Sequence, residues 1–135
     1  MILVDTSVWI DYFNGVDAPH TDLLDHELQH DRLVTGDLII AELLQGFGDE
    51  KDLLAAKRIM DSLEYYDLSG YTIAVQSAVN YRNLRRHGIT VRKTIDMIIG
   101  TFCVTHGFPL LHNDRDFDLM AGTLGLQILK SFTAE

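Results

Sequence analysis

Ile2-Leu3-Val4-Asp5-Thr6-Ser7-Val8-Trp9-Ile10-Asp11-Tyr12-Phe13 opens the chain and decides its fold class. Ile2 to Val4 is short, continuously apolar and partly β-branched, the pattern of a strand covered on both faces rather than one side of a two-faced sheet. Val8, Trp9, Tyr12 and Phe13 then recur at helical spacing until Asn14-Gly15 stops them. Strand and helix thus follow in immediate succession, with the carboxylate of Asp5 at their junction.

The same alternation continues along the chain. Pro19 to His30 predicts a helix with Leu23, Leu24 and Leu28 on one side, and Arg32 to Thr35 a short extended piece. Asp37 is placed to cap a helix through Leu38, Ile39, Ile40, Leu43, Leu44 and Phe47, and Asp49 to Leu63 repeats the helical pattern. Tyr65 to Leu68 reads as a strand. Ser69 is placed to cap a long helix ending at His87 and Gly88, and Thr94 a strongly apolar one from Ile95 to His106. Leu110-Leu111 enters another strand, a short helix follows Asp114, and Leu126 to Leu129 predicts a last strand. Alternating strands and helices imply an α/β fold, with a short central parallel sheet flanked by helices through right-handed crossovers.

Composition bounds the function. A chain of 135 residues has room for about one core of 100 to 200 residues, so a single domain over 1–135 is expected. The 47% apolar and 23% charged fractions are those of a folded globular chain. One cysteine, Cys103, excludes an internal disulfide and a cysteine-based zinc cluster, which fits a reducing cytosol. The amino terminus lacks the pattern of an export signal, and the run Met97 to Asn113 is too interrupted to span a bilayer, so a cytoplasmic protein with no membrane association is expected. A formal net charge of −9 argues against a broad basic surface for coating duplex DNA.

Carboxylates mark the place for chemistry. In an open parallel sheet, ligands bind beyond the carboxyl ends of the strands, where helix amino termini also point. Asp5 follows the first strand and Asp114 the strand at Leu110, while Asp96 lies in the first turn of an apolar helix and Glu42 at the margin of an apolar stripe. Each alone is compatible with a helix cap, a dipole partner or a solvated edge. Together they are harder to dismiss, because two carboxylates about 4 Å apart repel by about 4 kcal/mol at an effective dielectric near 20 unless a cation or protons intervene. Oxygen-only ligands suit a hard ion such as Mg²⁺ or Mn²⁺, which can bind phosphodiester oxygens and acidify a water for in-line hydrolysis. Arg82, Arg85 and Arg86 share one helix face, and Arg92 and Lys93 precede the Asp96 helix, giving a basic lip that is either an ordinary solvated face or a positioner of a nucleic-acid phosphate backbone.

Val4-Asp5-Thr6-Ser7-Val8-Trp9-Ile10-Asp11, Ala41-Glu42-Leu43-Leu44, Val91 to Ile99 and Leu110-Leu111-His112-Asn113-Asp114-Arg115-Asp116-Phe117 resemble, in order, the acidic motifs of PIN-domain ribonucleases, and more narrowly the VapC toxins of toxin-antitoxin pairs. The resemblance covers the whole chain. It implies a three-layer PIN-like fold and an acidic quartet, Asp5, Glu42, Asp96 and Asp114, holding Mg²⁺ or Mn²⁺ with Asp5 and Asp96 as principal ligands. It adds Asp116 as a further acidic position and Thr6 as a hydroxyl within the pocket. It also implies a homodimer that cleaves structured RNA, tRNA or ribosomal RNA, and is neutralised by a VapB-type antitoxin. His112 stands where many members carry Thr or Ser, and its role is open between packing, a hydrogen bond and proton transfer.

Other classes compete. A PIN fold that only binds, as a scaffold or corepressor, lacks nothing but the reaction. His26-Glu27-Leu28-Gln29-His30 matches the H-E-x-x-H signature of zinc metalloproteases, although the Leu24 and Leu28 stripe turns both histidines toward solvent. A receiver-type phosphorylation domain also gathers aspartates above a parallel sheet, but it requires an acceptor aspartate after a middle strand, whereas here the acidic groups sit at helix starts.

Overall fold

A computed structural model describes residues 1–130. The strands are β1 (Ile2–Val4), β2 (Leu33–Gly36), β3 (Glu64–Tyr66) and β4 (Leu110–Leu111). The helices are α1 (Thr6–Phe13), α2 (Pro19–Glu27), α3 (Asp37–Gln45), α4 (Glu50–Asp61), α5 (Tyr71–Arg86), α6 (Thr94–His106) and α7 (Arg115–Leu124). All strand pairs are parallel, in the order β3-β2-β1-β4. Helices α1 to α4 form one packed series, and α5, α6 and α7 pack against one another. The α/β fold with a parallel sheet between helices, expected from the alternating pattern, is the one observed.

Strand β1 is central and entirely apolar because it is covered on both sides; Leu3 and Val4 are fully buried. Its partners fix its register, Leu3 opposite Leu110 and Val4 opposite Leu111 on one side, Ile2 opposite Leu33 on the other. The backbone N–H of Asp5 donates to the Leu111 carbonyl at 2.9 Å, extending the ladder one residue beyond the strand. Trp9, Phe102 and Phe117 fill the core around it.

Several boundaries differ from the sequence reading. The predicted strand Leu126 to Leu129 amounts to one parallel bridge, Ile128 to Leu110, because β4 is only two residues long and offers little ladder. Gly36, rather than Asp37, is the N-cap of α3, and the Asp37 carboxylate accepts from the Leu38 and Leu68 N–H groups, tying α3 to the chain after β3. A Cβ at Gly36 would overlap the Leu68 side chain, so this crossing needs glycine. The N-cap of α5 is Gly70, at φ 93°, in place of Ser69, and that of α6 is Lys93 in place of Thr94.

Helix α2 ends at Glu27, short of His30. Glu27 is fully buried, and its two carboxylate oxygens accept from the Arg32 guanidinium at 2.8 and 2.7 Å. The base required by a metalloprotease is therefore engaged in an internal fork that joins α2 to β2, and the protease reading falls with it. Arg32→Met strands the buried Glu27 charge and is expected to lower unfolding free energy in urea by about 3 kcal/mol. Replacing both partners with Met is expected to recover most of that loss, since an apolar pair leaves no buried charge.

Candidate active site

The β1 register carries its consequence directly into the loops above it. Asp5 is the N-cap of α1, and its Oδ2 accepts from the Ser7 backbone N–H at 3.0 Å and from the Ser7 hydroxyl at 2.5 Å. Asp114 is the N-cap of α7, its Oδ1 accepting from the Asp116 N–H at 3.0 Å. Both are helix caps and members of the acidic site at once: one oxygen closes the helix, and the carboxylate still faces the rim where neighbouring strands end.

Asp96, Asp114 and Asp116 each present an oxygen within 4.8 Å of the others, a spacing that one cation can bridge. Asp116, the additional position of the sequence reading, thus stands in the central trio. Asp5 and Glu42 lie outside it but act on it electrostatically: Asp5 and Asp114 repel one another, and Asp96 is repelled by Asp5, Asp114 and Glu42. Glu42 is held by the Thr6 hydroxyl, which donates to its Oε1 at 2.8 Å. Asp116 accepts long bonds from the Arg92 backbone N–H and Nε, both at 3.4 Å.

Asp96 is the most telling of these groups. It is 4% exposed, and its Oδ2 has no hydrogen-bond partner. A buried carboxylate oxygen with nothing to accept from is costly unless it is protonated or meets a cation. Burial first, then repulsion from Asp5 and Asp114, raises the Asp96 pKa to about 7, with Lys93 opposing. Burial likewise raises Asp5, against the pull of the Ser7 bonds. The residues fit a hard divalent cation: the donors are all oxygen, one is orphaned, and carboxylates outnumber the cations beside them, Arg92 and Lys93.

Ser7 and Asn113 escaped the sequence reading. The Ser7 hydroxyl donates to Asp5 and accepts from the Asn113 N–H at 3.0 Å, bridging the two acidic loops. The cue was its place two residues after an N-cap carboxylate. His112 is half-buried; its Nδ1 accepts from the Asp114 N–H at 3.0 Å and its Nε2 faces Asp118 Oδ1 at 3.2 Å. The lone pair used at Nδ1 places the proton on Nε2, so the histidine braces the Asp114 turn. Arg82, Arg85, Arg86, Arg92 and Lys93 are all exposed, Arg92 beside Asp116 and Lys93 near Asp96.

A family model described as PIN domain matches residues 2–122. VapC ribonuclease Mb1587 of Mycobacterium bovis is 30% identical over 94% of this chain and 96% of its own length, and Ribonuclease VapC11 of Mycobacterium tuberculosis is equally similar. The chain belongs to the PIN-domain family, among the VapC ribonucleases. Its fold is also that of VapBC2 from Rickettsia felis, solved bound to a DNA fragment from its promoter, at TM-score 0.73 and 17% identity over 96% of this chain and 98% of that one. DNA-bound VapBC from Salmonella typhimurium gives TM-score 0.72 at 19% identity, covering 95% and 96%. Within this PIN domain, the clustered aspartates suit metal-dependent nuclease chemistry. Among the described residues, no helix is long and apolar enough to cross a membrane.

The raised Asp96 pKa sets a sign for stability without metal. Between the unfolded value of 3.8 and the folded value of about 7, the native protein binds a proton that the unfolded chain has lost, so stability falls as pH rises through that window. Asp96→Asn is therefore expected to melt about 5 °C above wild type at pH 8 in EDTA and close to wild type at pH 4. Calorimetry at the two pH values checks this; equal melting at pH 8 would contradict it.

Proposed function

We propose that this PIN domain is an endoribonuclease toxin that hydrolyses a phosphodiester of structured RNA, tRNA or ribosomal RNA, with Mg²⁺ or Mn²⁺ as cofactor. The observation that carries the reading is the clustering of Asp96, Asp114 and Asp116 within bridging distance, in which Asp96 is buried with one oxygen unpartnered. In this reading Asp96, Asp114 and Asp116 hold the cation, while Asp5 and Glu42 complete the acidic wall. When bound, the ion supplies Lewis-acid polarisation of the phosphate and a water acidic enough to attack near neutral pH. The protein's own work is positional. Ser7 and Thr6 fix Asp5 and Glu42, His112 fixes the Asp114 turn, and Arg92 and Lys93, with Arg82, Arg85 and Arg86 beyond them, orient the RNA backbone.

The chain's relationship to VapC ribonucleases supports the activity, and the resemblance to solved VapBC complexes supports a VapB-type antitoxin as its neutralising partner. A homodimer in the cytoplasm is the assembly and compartment that go with this reading.

The test is incubation of the purified protein with total RNA in Mg²⁺, Mn²⁺ or EDTA, followed by sequencing of the new RNA ends. Discrete, EDTA-sensitive cuts are expected. Asp96→Asn and Asp114→Asn should each lower cleavage about 100-fold or more. Growth arrest by Asp96→Asn equal to that by wild type would instead favour a fold that acts by binding alone.

A further inference from the structure

A cleft of about 420 Å³, which Arg92 and Lys93 do not line, opens between the start of α2, the β4–α7 turn and the segment at Ile128 to Lys130. Its volume is within the range of small-molecule sites, roughly 300 to 1,000 Å³. Asp114 lines it, so whatever occupies the cleft abuts the acidic centre. Leu23, Leu111, Ile128 and Leu129 give it an apolar floor, and Arg115 and Lys130 stand exposed at its lip. Asp118, also in the cleft, is largely answered: it faces His112 Nε2 at 3.2 Å and the Lys130 ammonium at 3.9 Å. His20 and Asn113 in the wall are turned to Asp11 outside it, at 2.7 and 3.0 Å.

A polyanion crossing a cluster of carboxylates needs cations on both flanks, since the centre itself repels it wherever a metal does not intervene. Cations are scarce here, eleven Lys and Arg against twenty Asp and Glu, yet two groups of them adjoin the aspartates: Arg92 meets Asp116 and Lys93 acts on Asp96, while Arg115 and Lys130 line the cleft that Asp114 edges. An apolar floor with a charged lip matches one nucleotide of a single strand, whose flat base is apolar on its faces and whose phosphate is anionic.

We infer that this cleft is a nucleotide-binding subsite for single-stranded RNA, seating the residue next to the scissile phosphate while the backbone continues over Arg92 and Lys93. This rests on the ribonuclease reading and deepens it. With cations beyond the cleft at Arg92 and Lys93, the strand continues past the acidic centre instead of ending in it, which is the requirement for an internal cut.

The test uses the full chain carrying Asp96→Asn, so that RNA is not consumed, and a fluorescein-labelled ten-nucleotide RNA of mixed sequence followed by anisotropy across a salt series. Arg115→Ala with Lys130→Ala is expected to weaken binding about tenfold and to make the dependence of log K on log salt shallower by about 1.4, the value for two lost phosphate contacts to a single strand. Leu129→Trp, which fills the cleft and leaves the charges, is expected to weaken binding with the salt slope unchanged. Mn²⁺ binding, measured by calorimetry with Asp96 intact, should be retained, with affinity no weaker, in either set of cleft changes, since losing nearby cations does not repel a cation, and this shows that the acidic centre stays folded. RNA binding that neither set alters, in a protein that still cleaves RNA, overturns the subsite alone. Absence of both RNA binding and metal-dependent cleavage in the parent chain overturns the ribonuclease reading and the subsite with it.

Discussion

Three residues of parallel pairing govern this molecule. Because β1 lies between β2 and β4, with Val4 opposite Leu111, the residues that follow the two strands leave the sheet side by side on the same edge. Asp5 and the turn at Asp114 are brought together by this register, and a slip of one position would turn every side chain of β1 to the other face. The Asp5 N–H to Leu111 carbonyl bond and the Ser7 hydroxyl bridge to Asn113 then lock the edge. Asp96 arrives independently, in the first turn of α6, an apolar helix packed between α5 and α7.

The edge so built is electrostatically unfavourable on its own. Burial and mutual repulsion raise the pKa values of Asp5 and Asp96, and one oxygen of Asp96 is left without a partner. The fold holds the groups there regardless: α1 and α7 use Asp5 and Asp114 as their caps, and Asp96 is carried by the first turn of α6. A helix cap and a cation site make compatible demands: both place a carboxylate at the start of a helix, and a carboxylate has two oxygens with which to serve them.

Much of this was legible in the sequence, for physical reasons that differ by element. Ile2 to Val4 reads as a covered strand because burial on both faces removes polar residues altogether, and Asp5 and Asp114 stand out because both fall in strand-to-helix junctions, where the carboxylates of one sheet edge collect. Glu42 was harder to place, since its position depends on the Thr6 hydroxyl, 36 positions away in the chain. The trio itself was not legible: Asp116 joins Asp96 and Asp114 through the winding of α7, which spacing alone does not orient relative to α6. The segment at Ile128 read as a strand on apolar character, yet its pairing depends on the length of β4, a property of the partner. The Glu27 and Arg32 fork was not legible, because the partner that lets a glutamate be buried lies beyond the helix, where helical spacing no longer orients it.

Parallel joining of the first strand to one beginning at Leu110 also has a temporal side. A ribosome makes this polypeptide from its amino end, so Asp5 is present almost from the start of synthesis, while Asp114 and Asp116 are among the later residues added. Any product cut short before them lacks two of the three clustered aspartates, together with the strand that would align the first carboxylate beside them. Unfinished copies therefore cannot assemble the clustered trio.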